Sequence, residues 1–83
     1  MSFFIYILES SKDKKLYIGQ TNCIENRLLR HNNGEVTATK NRRPLTLLHK
    51  EEYNTSSEST RRERYLKSLK SSVYLRKNII KQY

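Results

Sequence analysis

Two tyrosines stand on short apolar runs, Phe4-Ile5-Tyr6 and Tyr17-Ile18-Gly19, ahead of Arg27, His31 and, much later, Glu63. These residue types match what hydrolysis of a phosphodiester requires. The reaction needs a base beside an attacking water, a fixed cation to hold the developing charge, and a carboxylate to seat a divalent metal. Singly, each residue has an ordinary explanation. Tyrosines pack strands, Arg27 is a solvated helix charge, Glu63 can pair with Lys67 four residues on, and His31 can face a helix end. Their occurrence as an ordered set is the informative feature.

The elements that must position them follow from periodicity. Residues 3–8 are apolar on both alternating faces, which predicts a central strand covered on two sides. A polar turn from Ser10 to Lys14 leads to a returning arm, Leu16 to Gly19. Gly19 lies two residues after Tyr17 on the same face, which predicts an open space beside that phenol. Asn22 and Glu25 read as the capping box of a helix that Gly34 ends. Ile24 and Leu28 form its buried stripe, with Arg27 and His31 one turn apart along the border.

Residues 35–44 form a polar, basic loop containing Lys40, Arg42 and Arg43, and Pro44 marks the entrance of a strand over 45–53. On that strand Leu45, Leu47 and His49 are expected on one face. Thr55 and Glu58 predict a capped helix from about Ser56 to Lys70. Its apolar side is Tyr65, Leu66, Leu69 and Val73, with Glu63 beside it. A last helix from Val73 to Lys81 carries Leu75, Ile79 and Ile80. The order β-β-α-β-α-α predicts an α+β fold, a small three-stranded antiparallel sheet flanked by helices.

Composition narrows the partners. At 83 residues the chain has room for one domain, 1–83, with a thin core. Seventeen Lys and Arg against eight Asp and Glu leave a formal charge of +9, which attracts polyanions and makes nucleic acid the leading partner. No apolar run approaches ~20 residues, so no membrane span is expected. Met1-Ser2-Phe3-Phe4 carries no visible secretory signal. One cysteine, Cys23, allows no intramolecular disulfide, which fits a reducing, cytoplasmic location. Two glycines in the whole chain exclude a phosphate-cradling nucleotide loop, and no small-molecule cofactor is expected.

Phe4-Ile5-Tyr6, Tyr17-Ile18-Gly19-Gln20-Thr21, Arg27, His31-Asn32-Asn33-Gly34 and Arg61-Arg62-Glu63-Arg64, taken in order, resemble the GIY-YIG nuclease superfamily, in particular its small stand-alone bacterial members. The resemblance runs from Phe3 to about Lys70. It implies the same three-stranded sheet with flanking helices and one-metal hydrolysis of DNA with Mg²⁺ or Mn²⁺. By position it makes Tyr6 and Tyr17 the motif tyrosines, Arg27 the helix arginine, His31 the residue one turn later and Glu63 the metal-binding glutamate. The chain departs from the pattern in having Phe4 for the first glycine and Gln20 where some catalytic relatives carry lysine. Asn78 is only a loose counterpart of the late asparagine.

Chemistry assigns expected roles to these residues. A free phenol has a pKa of about 10, so a tyrosine base needs help from cations. Tyr17 is expected as general base or water-positioning group, with Tyr6 supporting it by hydrogen bonding. Arg27 is expected on a non-bridging phosphate oxygen, and His31 could orient Tyr17 or shuttle the proton. Lys40, Arg42 and Arg43 are expected to track phosphates. The leading reading is a metal-dependent DNA endonuclease with little sequence specificity, since so small a chain leaves no separate module to read base edges. Structure-selective cutting in repair or recombination would suit such an enzyme. The rivals are a nucleic-acid-binding module of the same fold without activity, and a small subunit whose charge recruits RNA.

Overall fold

The computed structural model describes residues 2–80. Three strands, β1 (Phe3–Ser10), β2 (Leu16–Thr21) and β3 (Leu45–Tyr53), form an antiparallel sheet in the order β2-β1-β3. The central strand is apolar on both faces because both are covered. Ile5 and Ile7 pack with Leu66, Leu75 and Ile80, while Tyr6 and Leu8 pack with Leu45, Ile24 and Leu28. Helix α1 (Ile24–Asn32) therefore closes the Tyr6 side. Helix α2 (Ser56–Leu69) and the segment after a short, exposed α3 (Ser72–Tyr74), through Leu75 and Ile80, close the Ile5 side. This is the expected α+β architecture.

Local signals placed most ends correctly. The Thr55 hydroxyl caps α2 by accepting from the Glu58 amide at 3.2 Å. Gly34 takes φ +81° after α1, and the Gly34 and Glu35 amides donate to the His31 and Arg30 carbonyls at 3.2 and 3.0 Å. That paired closure is a Schellman motif, which only a residue tolerant of the left-handed region makes without strain. At the other end of α1 the expected capping box is absent. Cys23 is the N-cap; its thiol donates to Glu25 Oε2 at 3.7 Å and caps no helix amide, and the Thr21 hydroxyl accepts from the Cys23 amide at 3.1 Å.

Three further expectations are corrected. Ile7 pairs with His49 but Leu8 pairs with Leu47, so Leu48 is the extra residue of a β-bulge. The bulge reverses the alternation, so Leu45 and Leu47 face α1 whereas His49 faces α2. On α2, Tyr65 and Val73 beyond it are exposed at 46% and 66%, and the buried stripe runs through Ser59 and Leu66. The Arg62 guanidinium lies 5.4 Å over the Tyr65 ring, which covers that ring from outside. Finally, α3 passes into a π-helical turn, Leu75–Ile79, with the Ile80 amide donating to Leu75 at 2.7 Å. The wider turn brings Leu75 and Ile80, five apart, to the same core. The Lys81 end of the expected helix lies outside the described residues.

Behind the bulge sits a polar cluster that periodicity did not reveal. Arg62 donates to both Glu51 oxygens at 2.9 and 3.1 Å, and the Tyr53 hydroxyl donates to Glu51 at 2.6 Å. His49 Nε2 lies 2.8 Å from the same carboxylate. These bonds hold the Glu51 carboxyl down at about 2 against its burial. The cluster bolts α2 to the edge strand β3.

Candidate active site

Strand pairing sets the two motif tyrosines side by side. Tyr6 pairs with Gly19 and Leu8 with Tyr17, so both phenols stand on the α1 face with ring centroids 6.3 Å apart. The expected open space at Gly19 is filled. The Tyr6 phenol lies across it, and a Cβ there would fall 2.6 Å from Tyr6 Cζ. Gly19 thus makes room for the other tyrosine and leaves no pocket beside its own.

Helix α1 supplies the next groups. Ile24, Leu28 and His31 follow one another along the helix at spacings of four and three, so His31 falls on the covered face instead of bordering it. His31 is fully buried. Its Nε2 lies 3.0 Å from the Tyr6 hydroxyl and its Nδ1 lies 2.7 Å from the Thr39 hydroxyl. Its ring meets Tyr17 edge-on at 5.0 Å, so His31 bonds Tyr6 and only packs against Tyr17. Arg27, one turn earlier, donates Nε to the Tyr6 hydroxyl at 3.2 Å.

Electrostatics separates these groups. Burial pushes the Tyr6 phenol up, against the lowering effect of Arg27, so Tyr6 stays a neutral hydroxyl in the working range. The hydrogen bond to Tyr6 chiefly secures the charge on Arg27, with Tyr17 adding to it. Burial first, then the charges of Arg27 and Arg30, hold the His31 imidazole down at about 4.

The His31 value has a measurable consequence. Unfolded histidine takes a proton below about pH 6.5, while the folded ring resists it until about 4. Between those values the unfolded chain binds more protons, so stability is intact above pH 6.5 and falls as the pH drops. The loss is about 2 kcal/mol at pH 5 and about 3 kcal/mol below pH 4. Chemical denaturation across pH 4–7 is expected to show this slope, and His31→Gln to flatten it. Glu51 remains ionised throughout that window and does not mask it. An unchanged slope in the variant would refute the assignment.

Glu63 approaches from α2. Its charge is felt at the Tyr6 phenol, its side chain is largely covered, and Lys67 Nζ lies 3.1 Å from Oε2. Of the three loop cations, Lys40 and Arg43 line one concave surface of about 480 Å³ with Lys12, Asn32 and Asn41. Arg42 does not join them. It turns to Asp13, 3.5 Å away, and its carbonyl accepts from the buried Ser10 hydroxyl at 2.7 Å. The carboxylate on the β1–β2 turn draws it aside, so Arg42 fastens that turn.

A family model described as the GIY-YIG catalytic domain matches residues 2–78. The chain belongs to the GIY-YIG family. Similar proteins include a UPF0213 protein of Syntrophus aciditrophicus, 43% identical over 81 residues that cover 95% of this chain and 90% of that one. A UPF0213 protein of Staphylococcus saprophyticus is 42% identical over 66 residues, 78% and 79% of the two chains. A solution NMR structure of a UPF0213 protein from Bacillus halodurans covers both chains fully, with a TM-score of 0.47 and 25% identity.

GIY-YIG membership makes this a nuclease fold, and nucleases of the family generally use divalent metals. Among the described residues no three His, Cys, Asp or Glu side chains converge on a metal-sized space. A lone Glu63 carboxylate fits a hard ion that keeps most of its shell as water and phosphate oxygens. The GIY-YIG departures also find places. Gln20 is on the opposite face from the phenols, where its amide bonds Ser59 at 2.7 Å and Thr60 at 3.1 Å. Asn78 donates to the Tyr74 carbonyl at 3.1 Å and serves the terminal turn. Thr39 joins the cluster through His31, and no spacing signal marks a threonine in a loop.

Proposed function

We propose that the protein is a divalent-metal-dependent endonuclease of the cytoplasm that hydrolyses phosphodiesters in DNA with little sequence specificity. The observation that carries this reading is the convergence of Arg27, His31 and the two phenols around one point, with Tyr6 held neutral. A buried phenol kept protonated is a poor base, so Tyr17, half-exposed, is the group that takes the proton of the attacking water. Tyr6 and His31 position Arg27. Arg27 in turn stabilises the charge that gathers on the non-bridging oxygens. Glu63 would hold the Mg²⁺ or Mn²⁺, which when bound supplies Lewis-acid help at the phosphate. Lys40, Arg43 and Lys12 would hold flanking phosphates through charge, which reads no base identity.

One observation favours a binding module without activity: Lys67 engages the Glu63 carboxylate and must release it for a metal to enter. Supercoiled plasmid with Mg²⁺ or Mn²⁺ decides between the two. The wild type is expected to nick it, and Glu63→Ala and Tyr17→Phe are each expected to lose nicking while remaining folded. Retained binding with no cleavage by any of the three proteins selects the binding module.

A further inference from the structure

Thr39 is fully buried beneath the basic loop, with its hydroxyl against His31. We infer that Thr39 is a positioning residue for the site: its hydroxyl oxygen accepts the Nδ1 proton of His31 and so keeps Nε2 bare to receive the Tyr6 hydroxyl proton. The consequence for cleavage rests on the nuclease reading above; the tautomer does not.

The argument is an accounting of protons. The Tyr6 hydroxyl has one to give and is only 2% exposed, so it needs a protein acceptor. Among the described residues its partners are Arg27 Nε, which can only donate, and His31 Nε2. Of these two, only Nε2 can accept the phenol proton. A neutral imidazole that accepts at Nε2 carries its own proton on Nδ1 and needs an acceptor there. Thr39 Oγ1, 2.7 Å away, is that acceptor. The opposite tautomer would let the Thr39 hydroxyl donate to Nδ1 but leave the phenol proton, confined near the ring plane, without an acceptor; in the inferred tautomer the proton left over is that of Thr39, whose hydroxyl rotates freely about its C–O bond.

The loop backbone keeps Thr39 in place. Its amide donates to Val36 at 3.1 Å, its carbonyl accepts from the Arg42 amide at 2.9 Å, and Arg42 is itself tied to Ser10 and Asp13. The next residue, Lys40, lines the cationic surface with Lys12 and Arg43. One short loop thus presents cations to flanking phosphates and sets the imidazole that aligns Tyr6 and, through it, Arg27. Losing the hydroxyl should impair turnover and spare DNA affinity.

Long-range ¹H–¹⁵N spectra of His31 at pH 7 test this directly. The wild type is expected to show a single species protonated at Nδ1; a proton on Nε2, or a mixture, overturns the inference. Thr39→Val removes the acceptor at nearly constant volume. It is expected to lose the single tautomer and slow nicking at saturating DNA by roughly 10- to 100-fold, with unchanged DNA binding by fluorescence anisotropy. Thr39→Ser is expected to restore tautomer and rate to within a few-fold. A valine variant that keeps both also overturns it. If valine prevents folding, the wild-type and serine spectra decide. Should the wild type cut no DNA, the nuclease reading fails while the spectra still judge the role of Thr39.

Discussion

Arg27→Met is expected to slow single-turnover cleavage by about 10²- to 10³-fold, the usual cost of removing a preorganised donor from a developing oxyanion. No carboxylate neutralises this guanidinium among the described residues; its ordered partners are phenols. Its charge is therefore available to an incoming phosphate, at a position fixed by a Tyr6 hydroxyl that is itself held by His31. Arg27→Lys should recover little, because one ammonium cannot keep the planar geometry that serves Tyr6 and phosphate together. Labelled DNA and a rapid-quench time course measure the effect, with thermal unfolding as the control for folding. A methionine variant that cuts at the wild-type rate removes Arg27 from the chemistry.

Gly19→Ala should damage both stability and activity. The added methyl would overlap the end of the Tyr6 ring, including its hydroxyl, and that ring is buried and bonded to His31 and Arg27. Relief requires moving the phenol and breaking those bonds, at about 2 kcal/mol by the measure of overpacked cores and lost buried hydrogen bonds. For a chain of this length that lowers the unfolding midpoint by about 10 °C, and cleavage should fall with it. Calorimetry of the variant checks the first effect. A midpoint within a degree or two of wild type would mean that β2 yields freely, and that the close packing of the two strands is not what aligns Tyr6.

Much of this arrangement was readable from the chain. Strand and helix periods placed β1, β2, α1 and α2, the motif order named Tyr6, Tyr17, Arg27, His31 and Glu63 as a set, and charge pointed to a polyanion. The misreadings share a cause. Strict alternation places His49 on the face of Leu45 and Leu47, whereas one bulged residue, Leu48, inverts everything after it. Spacing places His31 at the edge of the α1 stripe, whereas the fold buries it completely. Adjacency groups Arg42 with Lys40 and Arg43, and only the fold shows that it also pairs with Asp13, far away in sequence.

The chain by itself determined the alternation of β1 and β2, the cap of α2, the Gly34 stop of α1 and which chemical groups are available, because those properties depend on neighbours within a turn or two. Only the folded molecule decided that Gly19 yields its space to Tyr6, that the Tyr6 hydroxyl meets His31 Nε2, and that a loop threonine meets Nδ1 on the far side of that ring. Each of these is a contact between segments whose register is set by cross-strand pairing and burial. A hydrogen bond at 3 Å leaves no trace in the spacing of residues 25 positions apart.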